Sequence, residues 1–237
     1  MPRKKPVRRD TGSQECTYSE AQWTQLAQLR QHAVALMETL EPIGVIPLVH
    51  GSLSRGDVSE SSDVDVYIPL VLPSFTVELA LTQASYQIIH RELVHATPFH
   101  AIKAHIYLPK NAVVTFPLTS PSPIELDFYR FGGSLGRQEL QKGVRVPGVD
   151  KRLVLIEPTR KGHISTPVVG NEELVAKKVG VSLKIVEERV KILMRRDAVG
   201  RTGVYLKRHL GPKDTFEAVL KHVADRDPVV RRRVLKG

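Results

Sequence analysis

The residues of this chain that could do chemistry are concentrated between positions 51 and 65. Gly51 and Ser52 follow one apolar run, and Asp63 and Asp65 begin the next. A glycine turn lets a phosphate approach the backbone, while the serine hydroxyl and loop N–H groups can bind it. On a strand the two aspartates would share a face, where their charges repel unless a cation lies between them. Because Mg²⁺ prefers oxygen ligands and binds carboxylates together with phosphates, the stretch predicts a site for a phosphate chain and divalent metal ions.

Short strands and a long helix are predicted to position these residues. Residues 45–49 form an apolar run that predicts a strand before the loop, and residues 63–68 alternate as a second strand. Before them, apolar residues recur every three or four positions up to Pro42, which predicts a helix of about 20 residues. Capping boxes that begin at Thr17 or at Ser19 both fit the start of this helix.

The order of these residues resembles a known family signature. In the nucleotidyltransferase superfamily typified by DNA polymerase β, a Gly-Ser pair is followed, after a spacer, by Asp-x-Asp. The stretch is most similar in look to small stand-alone (minimal) nucleotidyltransferases and to archaeal CCA-adding enzymes. Their loops also contain an Arg-Gly pair, like Arg55-Gly56, and a serine before the first aspartate, like Ser62. The clear resemblance covers residues 45–69 and weakens beyond them.

The resemblance implies transfer of a nucleoside monophosphate from an NTP, with ATP favoured, to an acceptor hydroxyl, with release of pyrophosphate. It assigns binding of the β- and γ-phosphates to Gly51 and Ser52, and two Mg²⁺ ions to Asp63 and Asp65, with Mn²⁺ as an alternative ion. The acceptor stays open between an RNA end, a protein and a small molecule. The full set of predicted nucleotide-binding residues is Gly51, Ser52, Arg55, Ser62 and Lys177. The alternative prediction is a catalytically silent nucleic-acid-binding or regulatory protein on the same fold.

A third carboxylate, which the family has on a neighbouring strand, is predicted within residues 124–131. Their period-two pattern predicts a strand with Glu125, Asp127 and Tyr129 on one face, ended by two glycines. Asp127 is preferred as the third catalytic and metal-binding residue, because a short side chain on a strand holds a metal more rigidly. Glu125 is the alternative residue, and an amphipathic strand with one wet face is the alternative interpretation.

Composition favours an intracellular globular enzyme. With 237 residues, 41% of them hydrophobic, the chain can bury a core as one large domain or two small ones. The lone Cys16 excludes an intrachain disulfide and a cysteine-based zinc cluster. No apolar stretch approaches about 18 residues, and the charged N-terminus lacks the apolar segment of a signal peptide, so no membrane association and a cytoplasmic location are expected.

The basic residues are concentrated in the second part of the chain. Residues 1–150 contain 14 Lys and Arg against 15 Asp and Glu, whereas residues 151–237 contain 21 against 10. This basic half predicts nucleic acid, RNA in particular, or the triphosphate itself as a partner. Solvated helix faces, or the charged networks typical of proteins from hot environments, are the alternative. The basic tips, residues 3–9 and 231–233, are predicted to be flexible tails.

The remaining pattern predicts an α+β fold with consecutive parts. Residues 76–93 look helical, and residues 101–108, 113–116 and 153–156 look like strands. After Pro167 the chain becomes mainly helical, with helix starts at Asn171, Ser182, Asp214-Thr215 and Asp227-Pro228. We therefore predict a basic tail (1–16), a catalytic domain with a small mixed β-sheet and flanking helices (17–165), and a basic helical domain (166–237).

Overall fold

The protein is an α+β structure, which confirms the fold class predicted from the sequence. The computed structural model describes residues 6–8, 12–200 and 203–236. Within these residues the helices are α1 Glu20–Leu40, α2 Ser52–Arg55, α3 Ser74–Gln83, α4 Pro123–Phe131, α5 Arg137–Gln141, α6 Glu172–Val179, α7 Leu183–Val199, α8 Phe216–Arg226 and α9 Pro228–Leu235. The strands are β1 Gln14–Thr17, β2 Leu48–His50, β3 Val64–Tyr67, β4 His90–His95, β5 Ile102–Leu108, β6 Ala112–Pro117, β7 Ser134–Leu135, β8 Gly148–Val149, β9 Val154–Pro158, β10 Gly162–Pro167 and β11 Leu206–Leu210.

Two compact units divide the chain, and each consists of three separate segments. Unit 1 contains Met1–Arg30, Val49–Ser62 and Leu126–Thr202. Unit 2 contains Gln31–Leu48, Asp63–Glu125 and Gly203–Gly237. The units therefore interleave along the sequence, and the division into consecutive domains 17–165 and 166–237 stays a prediction. The predicted basic tail, 1–16, includes residues 1–5 and 9–11, which lie outside the described residues.

Unit 2 contains a sheet with the strand order β11-β4-β5-β6-β3. Strand β3 pairs in parallel with β6, and the other neighbours are antiparallel. One face is apolar, and its fully buried side chains are Val64, Val66, Leu93, Ile102, Ala104, Ile106, Val114 and Phe116. The Phe116 ring packs edge-on against Phe216 of α8, with 5.9 Å between ring centroids, so α8 covers this face. The opposite face is polar and includes Asp65.

Unit 1 contains a four-stranded antiparallel sheet in the order β1-β10-β9-β8. Strands β1 and β10 approach closely at Gly162, where an added Cβ would lie 1.9 Å from the Cys16 carbonyl oxygen. Any larger residue at this position would therefore break the pairing. Separately, His50 at the end of β2 pairs with Ser134 of β7, which fixes the backbone immediately before Gly51.

Most helix starts predicted from the sequence are confirmed, because the capping residues act as expected. At Ser19, the Gln22 N–H donates to the serine Oγ at 3.3 Å and the Ser19 N–H donates to the glutamine Oε1 at 3.1 Å, which completes a capping box before α1. The side chains of Thr215 and Asp227 accept N–H groups at the starts of α8 and α9. None of the helices in the described residues has both the length and the apolar composition that a membrane span requires.

The arginines at residues 231–233 are part of helix α9, so the prediction of a flexible tail there is wrong. Arg233 donates to the carbonyl oxygens of His100, at 3.2 Å, and Ser120. Arg231 donates to the carbonyl oxygen of Ala224 at 3.0 Å. Backbone acceptors within unit 2 therefore hold two of the three guanidinium groups in place.

Residues 123–131 form helix α4, so the strand predicted for the third carboxylate is wrong. The helix starts at Ser122-Pro123, and the Ser122 N–H donates to the Glu125 carboxylate three residues later at 3.0 Å. Serine, proline at the first helical position, and a glutamate three residues after the serine are together a helix-start signature. This local signal prevailed over the alternation of polar and apolar residues.

Two strands were not predicted. Helix α3 ends at Gln83, and after a turn with a positive φ at Ser85 the chain enters β4, where a continuous helix was expected to about residue 93. Strand β11 lies in the part predicted to be mainly helical, and it pairs with β4. Both segments become strands through pairing with partners distant in sequence, which local propensity does not encode.

Candidate functional site

Gly51 turns the chain between β2 and α2 in a conformation that only glycine adopts readily. Its φ is 80° and its ψ is −140°. The Gly51 N–H donates to the Gly133 carbonyl oxygen at 2.9 Å, and its own carbonyl accepts the N–H of Ser54 at 3.1 Å. Among the described residues, no atom lies within 4 Å of the place where a Cβ would stand. The turn is therefore rigid and leaves open space beside its backbone.

Replacing Gly51 with alanine is expected to lower the free energy of unfolding by about 1–3 kcal/mol, because the backbone angle strains any residue with a Cβ. Nucleotide affinity should fall at least about tenfold, since the loop must change shape to relieve this strain. Thermal melting and calorimetric titration with Mg²⁺-ATP measure the two effects. Gly12→Ala is the control, because Gly12 has no left-handed φ and no atom near its Cβ position. Equal melting temperatures for the two variants would contradict the prediction.

Ser52 and Ser62, both predicted to bind nucleotide, are brought together. Their Oγ atoms lie 3.3 Å apart, although ten positions separate them in the chain. The Ser62 Oγ also accepts the Ser59 N–H at 2.9 Å, and the Ser59 carbonyl accepts Gln25 Nε2 at 2.7 Å. The spacer between the two parts of the motif is thus folded back onto Ser52. Asp63 is the next residue after Ser62.

Arg55 holds the loop from inside unit 1. Its side chain is 5% exposed, and its Nε and Nη2 atoms donate to the two carboxylate oxygens of Asp57, each at 2.9 Å. The Nη1 atom donates to the Gly132 carbonyl oxygen at 2.6 Å. Such a two-pronged charged pair fixes geometry as well as adding stability. Arg55 therefore positions the loop, and its contact with a nucleotide stays a prediction.

Asp65 lies on the polar face of the unit 2 sheet, as the predicted strand required. It is half-buried, whereas Asp63, one residue before β3, is exposed. Across the sheet it is in line with Val113 of β6 and then Tyr107 of β5. Burial, a hydrogen bond to Glu92 and the charges of Glu92 and Asp65 raise the pKa of Tyr107 to about 12. The phenol is therefore neutral at pH 7 and lies close enough to Asp65 to feel its charge.

His105 is a buried neutral histidine on the same polar face. Its Nδ1 lies 2.9 Å from the Thr115 Oγ1. Burial, the largest cause, and then the charge of Lys103 lower the pKa of His105 to about 4; Lys207 acts in the same direction and Glu92 in the opposite one. The side chain is therefore uncharged in the folded protein at neutral pH.

This shift predicts a loss of stability on mild acidification. The unfolded chain takes up a proton at His105 near pH 6.5, whereas the folded chain does so near pH 4, so stability falls as pH decreases between these values. The shift corresponds to at most about 3 kcal/mol. Urea unfolding of wild type and His105→Gln from pH 7.5 to 4.5 measures it, and the variant should show the smaller slope. Parallel stability curves for the two proteins would contradict the prediction.

Helix α4 separates the two candidates for the third carboxylate, because residues two apart on a helix do not share a face. Glu125 is 3% exposed and accepts the N–H groups of Ala101, at 2.8 Å, and of Ser122. Asp127 accepts the Ser182 hydroxyl at 3.0 Å, at the start of α7. Glu125 thus has a structural role inside unit 2, and the bond of Asp127 lies inside unit 1.

Lys177 lies in the last turn of α6 and is exposed. A cation is favourable there in any case, because the C-terminus of a helix is partly negative. Its neighbour Lys178 bonds both carboxylate oxygens of Glu157, at 2.7 and 2.8 Å. The predicted contact of Lys177 with a triphosphate stays a prediction.

The donor set fits one metal ion better than two. Asp63 and Asp65 are adjacent acidic residues, and Mg²⁺ commonly takes one or two carboxylates together with phosphate oxygens and water. Within residues 6–8, 12–200 and 203–236 no group of three or more His, Cys, Asp or Glu side chains could hold a metal ion. Asp63 and Asp65 would therefore hold an ion together with a bound triphosphate. The described structure does not bring Asp127 into a three-carboxylate cluster with them.

No protein-family model matches the chain, and no curated protein matches it. Among solved structures, a similar chain is that of a cytoplasmic RNA terminal U-transferase, with 20% sequence identity and a TM-score of 0.30. The match covers 42% of this chain and 30% of that chain. This is a partial and low likeness, and the function proposed below rests on the residues of the chain itself.

The polar residues around Asp65 were missed as a group. Lys103, His105 and Tyr107 alternate with the apolar residues of β5, so the period-two pattern could have indicated a polar sheet face. Their proximity to Asp65 depends on the pairing of β5 with β6 and of β6 with β3. That pairing is not written in any local motif.

Proposed function

We propose that this chain is a nucleotidyltransferase, which moves a nucleoside monophosphate from an NTP, with ATP favoured, to an acceptor hydroxyl. The observation behind the proposal is the folded stretch from Gly51 to Asp65. A rigid glycine turn begins it, the Ser52 and Ser62 hydroxyls meet, and Asp63 and Asp65 follow at the start of a strand. Phosphate-binding groups and metal-binding carboxylates thus occur in one continuous, ordered segment.

In the proposed reaction the acceptor oxygen bonds to the α-phosphorus, the bond from that phosphorus to the bridging oxygen of the β-phosphate breaks, and pyrophosphate leaves. Gly51 and Ser52 would orient the β- and γ-phosphates, and Arg55 would keep their loop in shape. Asp63 and Asp65 would hold Mg²⁺, which neutralises phosphate charge when it is bound. Phosphoryl-type transfer depends mostly on such positioning and charge stabilisation.

The test uses the full-length protein, α-labelled NTPs and Mg²⁺, with tRNA, protein and small-molecule acceptors. The proposal expects label in one class of acceptor, release of pyrophosphate, and calorimetric binding of the NTP that requires Mg²⁺. If no NTP binds with or without Mg²⁺, the proposal is wrong.

RNA is the acceptor that the charge favours, because residues 151–237 have 21 basic against 10 acidic side chains. Phosphate contacts release counterions, so RNA affinity should fall steeply with salt, whereas binding of a small acceptor should change little. Titrations at 50 and at about 200 mM salt distinguish the two classes.

A second candidate function is a nucleotide-binding regulatory protein without transfer. One observation favours it: on the strand next to Asp65, the residue opposite that carboxylate is Val113. The two candidates differ in the transfer assay and agree in Mg²⁺-dependent NTP binding.

A further inference from the structure

The strand paired with β3 presents no acidic residue beside Asp65. Strand β6 is aligned so that Val113 lies opposite Asp65 and Thr115 lies opposite Tyr67. Paired strands are about 4.8 Å apart, so position 113 is the nearest on this strand to the Asp65 carboxylate. A carboxylate at that position could share a metal ion with Asp65, whereas the isopropyl group of valine has no ligand atom.

The next polar groups on this face are neutral or cationic. Thr115 is bonded to His105, a neutral side chain, through a contact of 2.9 Å. Lys103, two residues before His105 on β5, places its Nζ 5.8 Å from the centre of the Tyr67 ring. These groups offer a second divalent cation no negative charge, and Lys103 repels it.

Glu92 is the other carboxylate on the polar face of strands β3, β4, β5, β6 and β11, and it is already neutralised. Its Oε1 lies 2.8 Å from Lys207 Nζ and 3.1 Å from His209 Nδ1, and its side chain is 3% exposed. Strand β4 is three strands away from β3, a distance of about 14 Å. Glu92 therefore cannot act as a ligand for an ion at Asp65.

We propose that this chain has a one-ion nucleotide site, in which Val113 occupies the position of a carboxylate that would hold a second ion. This inference rests on the proposed function and narrows it. The ion at Asp63 and Asp65 enters with the triphosphate, and the acceptor hydroxyl lacks an ion of its own for activation. Transfer is then slow relative to nucleotide binding.

The physical reason is the repulsion between two divalent cations. In a two-metal site the ions lie about 3.5–4 Å apart, so shared and additional carboxylates must offset their charge. Two carboxylates and a triphosphate suffice for one ion. A second ion needs at least one more negative ligand on the acceptor side, and unit 2 offers a valine there.

The experiment counts Mn²⁺ ions bound per protein in the presence of a non-hydrolysable ATP analogue, by electron paramagnetic resonance. Wild type should bind one ion. Val113→Asp should bind two and gain at least about tenfold in transfer rate, because the new carboxylate lies opposite Asp65. Val113→Asn, which matches the size of aspartate without its charge, should stay at one ion. Asp127→Asn should also stay at one.

Two ions on wild type overturn the inference, and loss of one of them in Asp127→Asn would identify Asp127 as the missing ligand. A single ion on a folded Val113→Asp also overturns it. A measurement without nucleotide separates these failures from failure of the proposed function. Mn²⁺ alone should raise the melting temperature of Val113→Asp more than that of wild type or Val113→Asn, and equal shifts contradict the inference even if no NTP binds.

Discussion

Replacing Asp63 or Asp65 with asparagine is expected to reduce nucleotide transfer at least about 100-fold, the scale typical of losing one essential charged group in a site. The amide keeps the size of the side chain and removes the negative charge that holds Mg²⁺. Affinity for Mg²⁺-NTP should fall in parallel, because the ion and the triphosphate bind together. Labelled transfer and calorimetry with and without Mg²⁺ measure the two losses.

The folded state should tolerate these two changes. Asp63 is exposed and Asp65 is half-buried, and relief of their mutual repulsion offsets lost hydrogen bonds. Glu60→Gln is the matched control, since Glu60 is an exposed acid in the same loop and should leave binding and transfer unchanged. Wild-type NTP affinity in the Asp63→Asn and Asp65→Asn variants would remove the basis of the proposed metal site.

Replacing Glu125 with alanine is expected to lower the free energy of unfolding by about 3 kcal/mol, because a buried carboxylate that accepts three hydrogen bonds is lost. The donors are the Ala101 N–H at 2.8 Å and the Ser122 N–H and hydroxyl, each at 3.0 Å. The alanine variant leaves these donors in a site without an acceptor. A decrease in melting temperature of about 6–12 °C should follow in a chain of this size.

The same glutamate predicts acid sensitivity. Burial raises the pKa of Glu125, but hydrogen bonds from Ser122 and Ala101 and the charge of Lys103 prevail and hold it below the ordinary value of 4.5. A carboxyl group with a lowered folded pKa stabilises the protein above its unfolded pKa, and this stability is lost as pH falls through the folded pKa. Glu125→Gln should therefore show a flatter stability curve below pH 4.5 than wild type.

The control for the stability effect is Glu187→Ala, at an exposed position of α7 that should change the free energy of unfolding by less than about 0.5 kcal/mol. Transfer activity gives a second readout. If Glu125 were the third catalytic carboxylate, Glu125→Gln would abolish transfer while the protein stays folded. The structural role predicts a loss of stability with transfer retained below the melting temperature.

Local sequence patterns determined the α+β class, most helix starts and the placement of the motif. The Ser19 capping box, the caps at Thr215 and Asp227, and the strand that begins after Asp63 are all encoded within a few residues of each other. Such signals depend on hydrogen bonds and side-chain alternation inside one short segment, so they can be read without knowledge of the rest of the chain.

The tertiary structure decided what lies beside Asp65. The sequence predicted a third carboxylate on a neighbouring strand, yet residues 123–131 form a helix and the strand opposite Asp65 presents Val113. It also decided that residues distant in sequence, such as those of β4 and β11, form one sheet. Strand pairing and register depend on contacts between distant segments, and a local pattern does not specify which partner a strand will find. The phosphate- and metal-binding stretch was therefore legible in the sequence, whereas the number of ions it can hold depends on the register of β3 and β6.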